Sequence, residues 1–422
     1  MPLIELRYGE GTVPLEVPAS NLHGILLPQE AAGVPDEMAE IRRALANPIG
    51  SPRLRDMDLA GKRLAIMVSD ITRPSPSSKL LPPLLQELEA AGVRDQQILI
   101  VFGMGIHRPH KPEERKRLLG EAVYRRFANL DSSQVTEYVS YGATTRGTPV
   151  EIIRPVAEAD IRIVTGNIEF HYFVGYSGGA KAIMPGAASR RTIQHNHSLQ
   201  FEPGARAGAY EGNPVRQDIE EIGQRVGIDF MLNVVLNERK QIVQAVAGDV
   251  RQAHQVGRRA VDRMYRVDIM EKADIVIASA GGFPKDVNIY QAQKALENAS
   301  YATKDGGTII LVAQCREGMG EKTFEEWVFA AKSPEEIIAR IRSNFVLGGH
   351  KAAAIARVVQ RAQVILVSDL NEELVRRNFL HPQASPQAAL AAALDRQGPE
   401  ASILVLPAAG STVPVTEQGR SR

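Results

Sequence analysis

Four short segments of this 422-residue sequence concentrate side chains that bind anions, bind metals or move protons. The segment "HYFVGYSGGAKAIMPG" (171–186) places a lysine directly after a glycine-rich stretch. Glycines let a backbone approach a ligand closely, and a lysine beyond them is typical of phosphate binding. The standard phosphate loop, however, needs Gly-Lys followed by Ser or Thr, whereas Lys181 stands between Ala180 and Ala182. The sequence therefore predicts another task for this lysine.

Two of the other segments directly follow apolar runs that are typical of strands. "SDITRPSP" (69–76) offers hydrogen-bonding groups on Asp70 and Thr72 and a planar guanidinium on Arg73, which matches a carboxylate or a phosphate. A helix cap plus a surface arginine explains this stretch about equally well. "GMGIHRP" (103–109) adds His107, which by itself is a weak signal.

Histidines cluster in the third segment and its continuation "ASRRTIQHNHSL" (188–199). His171, His195 and His197 lie close together in a chain that has only nine histidines, and this favours a site. The two histidines of "HNH" also fit a solvated loop. A zinc ion would need a third ligand, which His107 or His171 would have to supply.

The fourth segment, "NIYQAQKALENA" (288–299), follows a strand-like run and two glycines. On a helix, Gln291 and Lys294 share one face, as do Tyr290 and Lys294. An ordinary amphipathic helix start explains the same pattern. Because this segment lies far along the chain, in a predicted second domain, we expect it to complete a site in a cleft between two domains.

The elements that must position these segments follow a βα rhythm. Short apolar runs such as "RLAIMV" (63–68) and "ADIVIASAGG" (273–282) alternate with longer amphipathic stretches, which predicts an α/β fold with mainly parallel sheets flanked by helices. The stretch 230–249 is typical of an antiparallel hairpin that turns at "NERK". We expect a first domain over 1–268, a second over 269–405, and a tail, 406–422, that returns to the first.

Composition excludes several classes of protein. The formal net charge of +1, from 50 basic and 49 acidic residues, gives no bulk attraction to nucleic acid or to a membrane surface, so we expect small-molecule partners. The single cysteine, Cys315, excludes an intrachain disulfide and a cysteine-rich metal site. No run of about 20 apolar residues and no secretory pattern at the start is present, so we expect a cytoplasmic protein.

Taken together, the four segments resemble the lactate racemase family, whose enzymes use a nickel-pincer nucleotide. The resemblance covers most of the chain and rests on motifs in the family's order: D-x-T-R at 70–73, G-x-H-R at 105–108, the glycine loop and lysine with flanking histidines at 171–197, and Y-Q-x-x-K at 290–294. Each motif is weak alone, but their shared order and spacing make the signal specific. The family's cofactor is Ni-pyridinium-3,5-bisthiocarboxylic acid mononucleotide, in which two sulfurs and a ring carbon hold one nickel.

The resemblance implies a role for each matching residue. Lys181 would be joined covalently to the cofactor as a thioamide, and His197 would complete the nickel coordination. His107 and His171 would be the paired acid and base. The residues implied to contact the nucleotide are Asp70, Ile71, Thr72, Arg73, Ser177, Gly178, Gly179 and Tyr290. Those implied to orient the substrate are Gln291 and Lys294, with Arg73 as an alternative partner of the substrate carboxylate.

The family implies a racemase or epimerase of 2-hydroxy acids. The C–H bond at C2 is very weakly acidic, whereas hydride removal leaves a flat 2-keto acid to which the hydride can return on either face. Each enantiomer presents its hydroxyl to a different side, which requires one base per side, and histidine suits this near neutral pH. Maturation would need separate enzymes that build the nucleotide and insert nickel.

Two alternatives remain open from the sequence. A zinc hydrolase built on the histidines would contain zinc and would tolerate replacement of Lys181. A non-catalytic carrier of the nickel nucleotide would need Lys181 and His197 but would tolerate loss of His107 and His171. A nicotinamide dehydrogenase is disfavoured, because no G-x-G-x-x-G leads from a strand into a helix at the expected place.

Overall fold

A computed structural model describes residues 1–29, 31–343, 345–346 and 348–416 of the chain. The strands are β1 (Leu3–Tyr8), β2 (Gly11–Glu16), β3 (Leu22–Ile25), β4 (Leu64–Ser69), β5 (Ile98–Gly103), β6 (Ala128–Asp131), β7 (Tyr138–Ala143), β8 (Pro149–Ile153), β9 (Ile161–Ile168), β10 (Phe170–His171), β11 (Gly175–Tyr176), β12 (Phe230–Leu236), β13 (Ile242–Gly248), β14 (Arg266–Ile269), β15 (Ala273–Ser279), β16 (Thr303–Val312), β17 (Gln363–Val367), β18 (His381–Gln383), β19 (Ile403–Leu406) and β20 (Val413–Thr416). The α-helices are α1 (Glu37–Ala46), α2 (Ser77–Ala90), α3 (Pro112–Leu119), α4 (Glu121–Arg126), α5 (Arg154–Ala157), α6 (Arg190–Ser198), α7 (Pro214–Val226), α8 (Val250–Tyr265), α9 (Ile289–Ala302), α10 (Lys322–Ala330), α11 (Pro334–Ser343), α12 (Gly349–Val359), α13 (Glu372–Arg377) and α14 (Pro386–Gln397).

The chain forms two compact units. The central unit comprises Glu30–Met264, and the terminal unit combines Met1–Gln29 with Tyr265–Arg422. Each unit contains one six-stranded sheet. The predicted α/β fold with two domains and mainly parallel sheets is confirmed.

The sheet of the central unit has the order β13-β12-β9-β4-β5-β6 and is parallel except for the β12–β13 hairpin. Strand β4 reads as a continuous apolar run because it lies in the middle of a parallel sheet, where both faces are covered. Helix α2 packs its leucines, among them Leu80, Leu84 and Leu88, into the same core. The hairpin predicted at 230–249 is confirmed.

The sheet of the terminal unit has the order β18-β17-β16-β15-β19-β3, and its neighbouring strands are parallel. Its inner positions are branched aliphatic residues such as Ile277, Ile310 and Val405, all fully buried. The unit also contains the β1–β2 hairpin and a parallel pair, β14–β20.

The structure corrects the predicted domain boundary of 1–268 at its N-terminal end. Residues 1–29 belong to the terminal unit because β3 pairs with β19, the edge that the other parallel strands leave open. Asn21 reinforces this pairing, since its buried side-chain amide donates to the carbonyl oxygens of Pro399 at 2.7 Å and Ala401 at 3.0 Å.

The tail also differs from the prediction that 406–422 returns to the first domain. Its described part, 406–416, stays with the terminal unit, because β20 pairs with β14 and packs on α9. Residues 417–422 lie outside the described residues. Within the described parts of the chain, no helix is both long and apolar enough to cross a membrane.

Replacing Asn21 by Ala should destabilise the terminal unit, because the carbonyl oxygens of Pro399 and Ala401 lose their donor, and the second of these contacts is buried. We expect a loss of about 1–3 kcal/mol in the free energy of unfolding. Trp327, the sole tryptophan, is buried in the terminal unit, so its fluorescence during urea unfolding reports on this unit alone. Asn129→Ala, in the central unit, is the matched control. An unchanged Trp327 transition in the Asn21 variant would contradict the assignment of residues 1–29.

Candidate active site

Three neighbouring strands deliver three of the predicted site segments to one edge of the central sheet. Asp70 directly follows β4, His107 lies four residues beyond β5, and His171 lies three residues beyond β9. Because β9, β4 and β5 are adjacent and parallel, their carboxyl ends meet at the same edge. Open α/β sheets bind their ligands at this edge.

Asp70 and His107 form a side-chain pair at this edge. The Asp70 carboxylate is buried and lies 3.2 Å from His107 Nδ1. Burial by itself raises the pKa of Asp70, but the hydrogen bond and charge of His107, the Thr72 hydroxyl and the Arg73 guanidinium outweigh it and lower the pKa to about 2. An ionised carboxylate on Nδ1 holds an imidazole with Nε2 directed away from it, which is the arrangement of a catalytic acid or base.

The D-x-T-R segment is folded around the same carboxylate. Thr72 donates to Asp70 Oδ1 from its backbone nitrogen at 2.7 Å and from its hydroxyl at 2.5 Å. Arg73 Nε lies 3.7 Å from Asp70 Oδ2, and its side chain is 40% exposed, so the guanidinium keeps surface for a ligand.

His110 and Asp131, which the sequence analysis did not single out, hold the backbone of this segment in place. The backbone nitrogen of Ile71 donates to His110 Nε2 at 3.0 Å, and His110 Nδ1 lies 2.8 Å from Asp131 Oδ1. The side chains of His110 and Asp131 are fully buried. In the sequence alone, nothing distinguishes His110 from His107, three positions earlier. The structure shows that His107 is partly exposed at the sheet edge, whereas His110 is buried and holds the backbone of Ile71.

The start of α2 offers a place for an anion. The hydroxyls of Ser75 and Ser77 are buried, and neither has a hydrogen-bond partner within the described part of the chain. They flank the N-terminus of a 14-residue helix, where backbone N–H groups and the helix dipole favour negative charge. Two unsatisfied hydroxyl donors at such a terminus fit the phosphate of a mononucleotide.

An aromatic contact connects the other two predicted histidines. The Phe173 ring lies between the rings of His171, at 4.7 Å, and His197, at 5.2 Å between centroids. The backbone nitrogen of Val174 donates to His171 Nδ1 at 3.4 Å, so the neutral imidazole carries its proton on Nε2. His197 Nδ1 lies 3.2 Å from Asn196 Oδ1, a contact of the kind that orients a metal-binding imidazole.

His195, the other histidine of "HNH", has a structural position. Its Nδ1 lies 2.9 Å from the hydroxyl of Thr148, which donates to the buried Asp218. Within the described residues, no group of three or more His, Cys, Asp or Glu side chains comes together as a metal site. The described residues therefore give no support to a zinc site with three protein ligands.

Lys181 lies in a single turn, Gly179–Ala182, that begins at the second glycine of the pair Gly178–Gly179. Burial lowers the pKa of Lys181 well below its usual value, and the Arg73 guanidinium lowers it further. The carboxylate of Glu169 raises it, Arg216 lowers it and Asp70 raises it, in decreasing order. A lysine with a lowered pKa has a larger neutral fraction, and the neutral amine is the nucleophilic form. This environment fits a covalent tether better than a phosphate contact, which needs the ammonium ion.

The Ser177 hydroxyl is engaged within the loop itself. It donates to the carbonyl oxygen of Asn167 at 2.8 Å and accepts from the backbone nitrogen of Glu169 at 2.9 Å. A contact between Ser177 and the cofactor therefore stays a prediction, and these two hydrogen bonds give it no additional support.

The fourth segment opens α9 in the terminal unit. Asn288 caps the helix by accepting from the backbone nitrogen of Gln291, and the helix places Tyr290, Gln291 and Lys294 in its first turns. Burial, with a smaller effect of the Glu321 carboxylate, raises the pKa of Tyr290 to about 12, so its phenol stays protonated. Lys351, which the sequence did not single out, donates to the carbonyl oxygen of Tyr290 at 2.6 Å and lies over the Tyr290 ring.

Comparisons with known proteins agree over the whole chain. Residues 8–208 match the family model described as lactate racemase N-terminal domain, and residues 269–415 match lactate racemase C-terminal domain. Lactate racemase from Thermoanaerobacterium thermosaccharolyticum is 35% identical over 419 residues, which cover 96% of this chain and 98% of the relative. Lactate racemase from Lactiplantibacillus plantarum is 34% identical over 418 residues, with the same two coverages, 96% and 98%.

Solved structures give the same picture. The lactate racemase apoprotein from T. thermosaccharolyticum superposes with a TM-score of 0.88 at 33% identity, covering 98% of this chain and all (100%) of that one. A structural-genomics protein from Thermotoga maritima shares the fold, with a TM-score of 0.62 at 17% identity over 92% of this chain.

The lowered pKa of Lys181 predicts its reactivity in the cofactor-free protein. A lower pKa leaves more neutral amine at a given pH, so acylation of Lys181 by acetic anhydride should reach half of its maximal rate at a lower pH than acylation of Lys322, whose side chain is 89% exposed. Peptide mass spectrometry after labelling over the neutral to alkaline range measures both residues in one sample. Equal midpoints for the two lysines would contradict this environment.

Proposed function

The chain belongs to the lactate racemase family and is a racemase, and we propose that it inverts the C2 centre of a 2-hydroxy acid with the help of a nickel-pincer nucleotide attached to Lys181. The substrate class is the 2-hydroxy acids, which include lactate and other short, aromatic or polyhydroxylated acids. The observation that carries the proposal is that the Asp70–His107 pair, His171 and a lysine of lowered pKa follow neighbouring strands at one edge of the central sheet, and that Phe173 connects the His171 ring to the His197 ring of α6.

The site residues divide the work of holding the cofactor. Lys181 would be the covalent tether, and His197 the single protein ligand of the nickel. The segment 70–73 and the loop 177–179 would hold the nucleotide, with its phosphate at the start of α2, where Ser75 and Ser77 have unsatisfied hydroxyls. That a relative was solved as an apoprotein supports an enzyme whose chain folds before its cofactor is attached. When bound, the cofactor supplies a reversible acceptor for the C2 hydrogen and its bonding electrons.

The two histidines would move the hydroxyl proton. With Asp70 accepting at Nδ1, His107 takes the proton of the substrate hydroxyl on Nε2 as the hydroxyl carbon becomes a carbonyl. His171 would act as the acid on the other side: in its imidazolium form it gives a proton to the carbonyl oxygen of the planar 2-keto acid and is left as the neutral imidazole. The opposite enantiomer uses the same pair with the roles of acid and base exchanged.

Substrate orientation falls to groups with complementary charge. Lys294 would pair with the substrate carboxylate and Gln291 would bind its oxygens, while Tyr290 remains assigned to the nucleotide. Arg73 is a second candidate for the carboxylate, because its guanidinium only partly faces Asp70. Maturation enzymes that make the nucleotide and insert nickel are the partners that this chemistry requires, in the cytoplasm, the reducing compartment that a single cysteine favours.

The alternatives have less support. The zinc hydrolase lacks a group of three protein ligands among the described residues. The carrier hypothesis conflicts with the racemases to which the chain is similar over nearly its full length.

The covalent tether is tested by intact-mass measurement of protein produced together with the cofactor-making enzymes. The wild type should carry a mass increment of the nucleotide and about one nickel per chain. Lys181→Ala should lose both, while Lys322→Ala, at an exposed position, should keep them. An unmodified wild-type mass despite confirmed cofactor production would overturn the proposed cofactor.

The acid and base roles are tested on the loaded enzyme. His107→Asn and His171→Asn should each lower kcat for racemisation of enantiopure 2-hydroxy acids by about 100-fold to 10,000-fold, because each removes one proton-transfer group. Both variants should keep the mass increment. His195→Asn is the matched control, since the asparagine amide can replace the Nδ1 contact with Thr148. Full activity in either of the first two variants would contradict the two-histidine assignment.

A further inference from the structure

The glycine pair before Lys181 adopts a backbone that other residues rarely reach. Gly178 has φ +74° and Gly179 has φ +60°. A Cβ on Gly178 would lie 2.6 Å from Asn233 Oδ1, and a Cβ on Gly179 would lie 3.1 Å from both Arg216 Nη2 and His254 Cδ2. The loop is therefore pressed against three polar side chains, and only glycines let it approach them so closely.

Those three side chains come from three different elements of the central unit: Arg216 from α7, Asn233 from β12 and His254 from α8. They bind the loop at successive backbone groups. Arg216 Nη1 donates to the carbonyl oxygens of Tyr176 at 3.2 Å and Gly178 at 3.5 Å. The backbone nitrogen of Gly179 donates to Asn233 Oδ1 at 2.9 Å.

His254 completes the set and is linked to Arg216. Its Nε2 donates to the carbonyl oxygen of Ser177 at 2.8 Å, and its Nδ1 lies 3.5 Å from Arg216 Nη2. Burial lowers the pKa of His254 well below its usual value, and the Arg216 guanidinium lowers it further. The imidazole is thus neutral, and the Arg216 contact at Nδ1 leaves its proton on Nε2, where the loop carbonyl accepts it.

Holding a loop in this way is costly for the fold. Arg216 is fully buried, and its charge is paired with Glu220 on the same helix. Replacing a buried ion pair by apolar side chains is often neutral or stabilising, so such a pair is weak support for stability as its purpose. Burial of the Arg216 charge is explained if its guanidinium serves to hold the backbone of the loop rather than to stabilise the core.

We propose that Arg216, Asn233 and His254 are positioning residues that hold the loop 177–179 in the conformation that presents the Lys181 amine for cofactor attachment. This inference rests on the proposed function of Lys181 as the tether. Neither the sequence motifs nor the comparisons assign a role to these three residues.

The test compares apolar variants with a conservative one. Asn233→Leu and His254→Leu remove one loop contact each, and Arg216→Met is combined with Glu220→Gln so that no unpaired carboxylate is left. His254→Gln keeps a donor near the position of Nε2. Asn378→Leu, which removes a buried amide donor in the terminal unit, is the matched control for loss of a buried polar group.

Two readouts separate positioning from general stability. Co-production with the cofactor-making enzymes gives the fraction of chains that carry the mass increment. Acetic anhydride labelling of the cofactor-free variants gives the pH midpoint of Lys181. We expect the Leu variants and the Arg216–Glu220 double variant to attach cofactor at least roughly ten-fold more slowly, as for small displacements of a reacting group. Their Lys181 midpoints should rise as water enters the loop, and in the double variant also because a cation is lost.

His254→Gln and Asn378→Leu should keep wild-type attachment and a wild-type midpoint, and the thermal unfolding midpoint of each variant identifies any loss of fold. If cofactor attachment and the Lys181 midpoint were unchanged in the two Leu variants and in the Arg216–Glu220 double variant, the inference would be overturned. The mass increment of the wild type would still support Lys181 as the tether in that case. Absence of the increment in the wild type would instead overturn the proposed function, and the inference with it.

Discussion

The ionised Asp70 carboxylate is the constraint on which the arrangement of the site depends. Burial of a carboxylate is unfavourable unless charges and donors surround it. Here the Thr72 backbone and hydroxyl, the His107 imidazole and the Arg73 guanidinium do so, and together they lower the pKa of Asp70 to about 2 despite its burial. Because these groups come from the loops after β4 and β5, the carboxylate ties two strand ends together. The supporting His110–Asp131 pair then fixes the backbone at Ile71.

Lys181, whose pKa the Asp70 charge also affects, is subject to the opposite requirement, because its environment favours the neutral form. Burial and the charges of Arg73 and Arg216 favour the neutral amine, whereas the Glu169 and Asp70 carboxylates act in the opposite direction. One edge of one sheet therefore keeps a carboxylate charged and lowers the pKa of an amine. Neighbouring groups whose pKa values are shifted in this way are typical of functional sites.

The sequence predicted what depends on local pattern and on family motifs. Apolar runs identified β4 and β15, because central parallel strands are apolar on both faces. The motifs identified Asp70, His107 and Lys181, and the structure places them in contact or in mutual electrostatic range. The assignment of residues 1–29 failed, since the pairing of β3 with β19 joins residues about 380 positions apart and leaves no local signal. His110, Arg216, Asn233 and His254 were missed for the same reason: each acts through backbone groups that are distant in sequence.

In both units a buried basic side chain donates to a backbone carbonyl oxygen of a segment proposed to belong to the site. In the central unit Arg216 donates to Tyr176 and Gly178 before Lys181, and in the terminal unit Lys351 donates to Tyr290 at the start of α9. Burial and the nearby Lys294 ammonium lower the pKa of Lys351 to about 7, although Glu297 acts in the opposite direction. A buried charge is weak support for stability as its purpose. Each of these side chains instead fixes the backbone of a segment that carries proposed site residues, Lys181 in the central unit and Gln291 in the terminal unit.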